Sequence, residues 1–477
     1  MSYIFVFVVI TLTALFFVFL VPVYQGPDEQ IHYGTIQHQA EPQEKTWAIT
    51  EQKDGVFIDD IASFRLSEET IAGGKLNQFD ELKWQGENTQ NFSAVGTTST
   101  QEETFLTQSY NRYLTLSPSS TSGTSSFYYT TTGFLEKVFN RLNFTERFFL
   151  ARMFSLFVYL GVILITYQIA QKIFSLPLER NLSTLLVAFQ PMLLATGTIV
   201  NIDIALIFSF TLCFFALIAI LEKPTSKIFH AVLLFSLFLA FFSKGPGVVL
   251  ILIVGVFYLL LIQRYLQWDR LRLLKLLLVF SVIFSLLFLF LVPKNYLASI
   301  TNLHSGSHFS SPLKSLTTYF DKTFGIDAML RTHTSYWGNF GWLDTKMNTS
   351  LLHSIALVEL IAWVGIILFL RSKKTKEYLP QKSVILLSLG MIITLQLAIR
   401  FYDWRVFDTT GKILIGTPGR YFLPTVVPHL LILVTGLGFL LTKNRAHFTT
   451  LLKALTVGMI LLCLYAIFDV IIPRYYL

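Results

Sequence analysis

The chain has 477 residues, 53% of them hydrophobic and only 14% charged, with a mean hydropathy of +0.58. A soluble protein carries about 25% charged residues, so there is too little charge here for an aqueous surface. That excludes a soluble enzyme, and it excludes nucleic-acid binding as the meaning of the net charge of +8. The class is an all-α polytopic membrane protein, in which excess Lys and Arg are expected in cytoplasmic loops. Cys213 and Cys463 both lie in apolar runs and read as small core residues, not as a disulfide or metal pair.

A spanning helix needs ~20 apolar residues. In chain order the qualifying runs are 3–23, 148–174, 182–200, 204–221, 228–242, 248–262, 276–292, 351–370, 384–399, 421–441 and 455–472. That predicts about eleven transmembrane helices in one integral membrane domain. The first run lacks a basic leader and a small-residue cleavage site, so it reads as a retained helix. Ser243-Lys244-Gly245-Pro246-Gly247 breaks two short runs into a tight hairpin. With the N-terminus inside, every inner loop is basic, from Lys172 and Arg180 to Lys443, Arg445 and Lys453. This bias sets the orientation.

Three segments then fall outside: 24–147, 293–350 and 400–419. The first opens on an acidic stretch. Its Ser/Thr-rich part, about 92–132, cannot bury enough apolar area to offset ordering entropy and is expected to be flexible.

The candidate chemistry lies on this outer face. Pro27-Asp28-Glu29-Gln30-Ile31-His32 follows the first apolar run directly. A carboxylate near the bilayer is costly unless solvated, paired or functional. One of Asp28 and Glu29 could act as general base. With His32 the pair could hold a divalent cation, or the group could be a solvated helix end. Asp203, at the end of a predicted helix, could share a substrate with Asp28 or could cap the next helix. Lys244 could hold a phosphate or snorkel. His333, Trp342 and Asp344 lie in an aromatic, Gly-containing outer stretch. The tryptophan could stack on a sugar and Asp344 bind its hydroxyls, or the stretch could be an interfacial aromatic belt. Arg420 and Tyr421 sit where a late helix re-enters the membrane. A guanidinium there suits a phosphate or pyrophosphate, and Gly419 permits close approach.

The pattern resembles the GT-C superfamily of polytopic glycosyltransferases. A first helix is followed at once by Gly26-Pro27-Asp28-Glu29-Gln30-Ile31-His32, then by a long outer loop and about ten further helices. Within the superfamily the chain is similar to a bacterial membrane-protein group of unestablished activity. That group's motifs stand here as Pro27-Asp28-Glu29-Gln30-Ile31-His32, Phe340-Gly341-Trp342-Leu343-Asp344 and Gly419-Arg420-Tyr421-Phe422-Leu423-Pro424. The resemblance implies an inverting transferase in the bacterial cytoplasmic membrane, active at the extracytoplasmic face. The donor would be a polyprenyl-phosphate-linked sugar and the acceptor an envelope glycan, lipid or protein. Asp28 or Glu29 would be the base, Asp203 a second acidic site, and Lys244 and Arg420 would neutralise the leaving phosphate. The competing readings are a flippase for lipid-linked saccharides, a polysaccharide polymerase or ligase, and a non-enzymatic scaffold.

Overall fold

The computed structural model describes residues 2–40, 67–77, 99–108, 126–266, 311–373, 376–411, 413 and 418–477. The expected span at 276–292 lies outside them. The helices are α1 (Tyr3–Leu20), α2 (Glu29–Ala40), α3 (Glu68–Leu76), α4 (Ser99–Thr107), α5 (Phe127–Val138) and α6 (Phe144–Ile173). There follow α7 (Pro177–Ala188), α8 (Pro191–Thr198), α9 (Asp203–Glu222), α10 (Lys227–Phe241), α11 (Val249–Leu266), α12 (Pro312–Thr323) and α13 (Ile326–Trp337). A two-stranded hairpin, β1 (Asn339–Phe340) and β2 (Thr345–Lys346), precedes α14 (Thr349–Arg371), α15 (Lys382–Thr410), α16 (Val426–Leu441), α17 (Arg445–Tyr465) and α18 (Ile472–Tyr476). A 3-10 turn, Gly419–Thr425, leads into α16, and a π segment joins α17 to α18.

Among the described residues seven helices are long and apolar enough to cross a bilayer: α1, α6, α9, α14, α15, Gly419–Leu441 and Arg445–Tyr476. α10 and α11 are shorter apolar helices joined by the expected hairpin. The run at 182–200 is not one continuous helix. Pro191 cannot donate to the ladder, so the chain breaks into α7 and α8, with Gln190 Oε1 capping α8 by accepting from Leu193 N (2.5 Å).

α9 is the central element, with 83% of its apolar window buried, and it packs against α6 and α10. α1, α14 and α15 bury only 22–33% of theirs and present Phe and Leu outward, as lipid-facing helices do. α14 and α16 meet closely, because a Cβ on Gly436 would stand 2.0 Å from Ala362 O and one on Gly365 2.2 Å from Gly436 O.

Lys172, Lys376 and Arg445 lie at one end of the bundle. Lys172 pairs with Glu222 (2.7 Å), Arg445 with Glu179 (3.3 Å), and Lys376 donates to Phe439 O (2.9 Å). The acidic stretch lies at the other end, where α2, α3 and α5 form a cap on α6.

Two parts of the stretch 92–132 are helical. Ser99–Thr107 is α4, and α5 starts at Phe127. There Ser126 Oγ accepts from Tyr128 N (3.2 Å), and Tyr128 and Tyr129 are buried. Aromatic burial outweighs local composition at that point. The rest of that stretch falls outside the described residues. At the third outer segment, the expected loop from Arg400 is a helix as far as Thr410, a continuation of α15.

Candidate functional site

The chain leaves α1 through Pro22 and makes two sharp turns, with Tyr24 (φ 66°) and Asp28 (φ 61°) both in the left-handed region. Such a conformation costs a non-glycine residue on the order of 1 kcal/mol or more. It is held because Ile31 N and His32 N bond to Asp28 O (3.0 Å each) as α2 begins.

The strain parts the two carboxylates. Glu29 turns inward and is fully buried. Its oxygens take a two-pronged bond from Arg152 Nε and Nη2 (2.8 Å each) and one from Val200 N (2.9 Å). Arg152 also donates to the carbonyls of Val18, Val21 and Pro22 at the end of α1. Glu29 and Arg152 thus tie together α1, α2, α6 and the α8–α9 link. Asp28 turns the other way, with 37% of its side chain exposed, and its Oδ2 accepts from Arg420 Nη2 (2.5 Å).

A second pair stands beside the first. Asp203 does not cap α9; Asn201 Oδ1 accepts from Asp203 N instead (2.8 Å). The Asp203 carboxylate accepts from Lys244 Nζ (2.6 Å), so Lys244 is ion-paired and not merely snorkelling. Both cations lie against Tyr421, Lys244 Nζ at 4.8 Å and Arg420 Cζ at 5.3 Å from its ring centre. Arg420 is 6% exposed, and its Nε and Nη1 have no hydrogen-bond partner among the described residues. Gly419 makes this position possible. A Cβ there would lie 2.1 Å from Thr332 O and 2.2 Å from Tyr336 N, so only glycine lets the Arg420 turn pack on α13.

His32 completes the group. Its Nδ1 lies 2.6 Å from Tyr129 OH. Burial drives its pKa down to about 4, against the pull of Asp28, so the imidazole is neutral at ordinary pH. Burial alone would raise the Asp28 carboxyl, but the charge and hydrogen bond of Arg420 more than offset it and hold its pKa below the usual value. Two carboxylates and two cations from four separate stretches therefore meet at one helix-end surface with zero net charge.

The expected ligand set of Asp28, Glu29 and His32 does not form, because Arg152 occupies Glu29. Among the described residues no three His, Cys, Asp or Glu side chains are arranged to hold a metal ion.

The remaining candidates have partners outside the double pair. Trp342 Nε1 donates to Tyr24 O (3.1 Å), which docks the β1–β2 turn on the acidic loop, and Asp344 Oδ1 accepts from Thr345 Oγ1 (3.0 Å) within that turn. His333 belongs to another cluster. Glu359 Oε2 is 3.0 Å from His333 Nε2, and Glu359 Oε1 is 3.1 Å from His429 Nε2 and 3.0 Å from Trp337 Nε1.

Sequence reasoning missed Arg152, Tyr129, Glu359 and His429. Three of the four were visible as lone polar residues inside apolar runs, the signal that marks an intramembrane partner. It also missed Arg147, which bonds Glu69 (2.5 Å) and Glu136 and so secures α3 and α5 to α6.

Residues 11–430 match the family described as Predicted membrane protein (DUF2142). The chain belongs to that family. With its apolar helices, membership makes it an integral membrane protein. No curated protein matches the chain, and no solved structure matches it.

Proposed function

We propose that this member of the family is a membrane glycosyltransferase of GT-C type. It moves a sugar from a polyprenyl-phosphate-linked donor to a cell-envelope acceptor at the extracytoplasmic face. The observation that carries this reading is the double pair Asp28–Arg420 and Asp203–Lys244 around Tyr421. It supplies a carboxylate and two fixed cations at the membrane boundary.

In the proposed reaction the acceptor hydroxyl attacks the anomeric carbon and its proton passes to the Asp28 carboxylate. The bond from that carbon to the phosphate oxygen breaks, and its electron pair leaves on the phosphate. Arg420 and Lys244 offset the charge that develops there. The free Nε and Nη1 of Arg420 suit an oxyanion. A phosphate that competes for Arg420 also weakens the hold on Asp28 and raises its basicity. Glu29 is left with a structural role.

The test is lipid and glycan profiling in a deletion strain. Wild-type protein clears the accumulated polyprenyl-phosphate sugar, and Asp28→Asn at equal membrane abundance does not. Normal envelope glycans with Asp28→Asn overturn the proposal.

A second reading, transport of a lipid-linked saccharide, draws on Glu359 and His429, which lie on spanning helices α14 and α16. Buried titratable groups at membrane depth occur along proton and substrate pathways. In that case Glu359→Gln abolishes complementation and Asp28→Asn does not.

A further inference from the structure

α12 has three sectors, which follow from about 100° of rotation per residue. Ser315, Tyr319 and Thr323 are buried on one side. There Tyr319 OH donates to Asp403 (2.8 Å), Trp404 Nε1 to Ser315 Oγ (3.2 Å), and Arg400 Nη1 to Thr323 O (3.4 Å). The next sector carries Leu313, Leu316, Phe320 and Phe324, all exposed, with Phe320 stacked on Phe324 at 4.6 Å. The third carries Lys314, Asp321 and Lys322, also exposed. α13 continues the apolar sector with Ile326 (71% exposed) and Met329 (51%).

A free aqueous helix has no use for an apolar sector between its protein face and its polar face. A helix at the junction of protein, lipid and water requires that order. The partner helix fixes the height. At 1.5 Å per residue the 29 residues of α15 span about 43 Å, more than the ~30 Å of hydrocarbon. Residues Arg400 onward, against which α12 packs, therefore stand at or beyond the boundary. Phe401 and Tyr402 are exposed there, as in an interfacial aromatic belt.

We propose that α12 and the first turn of α13 lie in the lipid–water boundary of the leaflet on the Asp28 side, with the Leu313–Met329 apolar edge among the acyl chains. The occupant of that edge is the bilayer itself. α13 then runs from the lipid surface to Ser335 and Tyr336, against Gly419, so the membrane sets the height of the Arg420 turn. This assignment does not depend on the reaction proposed above.

The experiment uses the full chain in lipid nanodiscs, with nitroxide labels at Phe320→Cys, Leu316→Cys and Lys322→Cys. Cys213 and Cys463 are buried, and an unlabelled-background control accounts for them. At positions 316 and 320 the relaxation of the label is expected to respond at least fivefold more to oxygen than to a water-soluble nickel chelate. Position 322 is expected to show the reverse. Chelate access at 316 and 320 equal to that at 322 overturns the proposal. So does protection of both positions from oxygen and chelate alike, which would mean that protein, from this chain or a second copy, covers the edge.

Discussion

Asp28 and Glu29 are neighbours with opposite fates, and the left-handed backbone at Asp28 is what divides them. Glu29 meets Arg152 with no exposure on either side. Removing one partner of such a pair leaves the other charge buried and costs about 3–5 kcal/mol. Glu29→Gln and Arg152→Leu are therefore each expected to lower the thermal midpoint in detergent sharply, whereas Asp28→Asn, which unpairs the buried Arg420 but at a half-open position, is expected to lower it less. If Glu29→Gln unfolds at the wild-type temperature, the structural role assigned to Glu29 is wrong.

His32 gives a pH prediction. Its folded pKa of about 4 lies below the ordinary 6.5, so between these values the unfolded chain binds a proton that the folded chain refuses. Stability falls as pH falls through that window, by up to about 3 kcal/mol. The Asp28–Arg420 pair is lost only at lower pH, because the Asp28 carboxyl is held below its usual value. Melting curves from pH 7 to pH 4 should slope downward in the wild type and flatten in His32→Gln; equal slopes would exclude His32 as the source.

At the level of elements, close approach decides two contacts. The Arg420 turn sits on α13 with no room at Gly419, and backbone atoms are what a new Cβ would meet. Gly419→Ala is expected to push the turn away from α13, costing about 1–3 kcal/mol and abolishing function although no charged group is touched. Complementation of the deletion strain checks this, and full activity would show that the turn tolerates displacement. In the membrane, Gly365, Gly436 and Ala362 bring α14 and α16 together. Gly436→Leu should separate them, seen as lost oxidative crosslinking between cysteines placed on the two helices. The acidic cap depends on long-range partners of a different kind, because Arg147 holds Glu69 and Glu136 from elements that precede it in the chain.

For the whole molecule, the arrangement is a bundle around α9 with Lys172, Lys376 and Arg445 at one end and the Asp28–Arg420 and Asp203–Lys244 pairs at the other. The end carrying Lys172, Lys376 and Arg445 is expected in the cytoplasm by the positive-inside tendency. Cysteine labelling of intact cells tests this: a thiol placed at Lys373 should react with impermeant reagent only after lysis, and one at Thr409 should react before it. The opposite result would invert the topology and move the Asp28 site to the inner face.

The sequence by itself determined the membrane class, the approximate places of α1, α6, α9, α14, α15 and α16, and the hairpin at Lys244. Hydropathy summed over ~20 residues is a local property, and desolvating a backbone forces helix wherever that sum is high. The Pro27–His32 and Gly419–Pro424 motifs were also legible as candidate site segments. Only the tertiary structure decided which side chains share a partner. Asp28 and Arg420 are 392 positions apart, Glu29 and Arg152 123. Nothing local in a carboxylate tells whether it will be sealed against a buried guanidinium, as Glu29 is, or stay half-open beside one, as Asp28 does. Trp342 shows the same limit, since nothing in its sequence neighbours points to Tyr24 O as the acceptor of its indole N–H. The difference lies in where the backbone turns, and at Asp28 that turn is a strained conformation held by the first hydrogen bonds of α2.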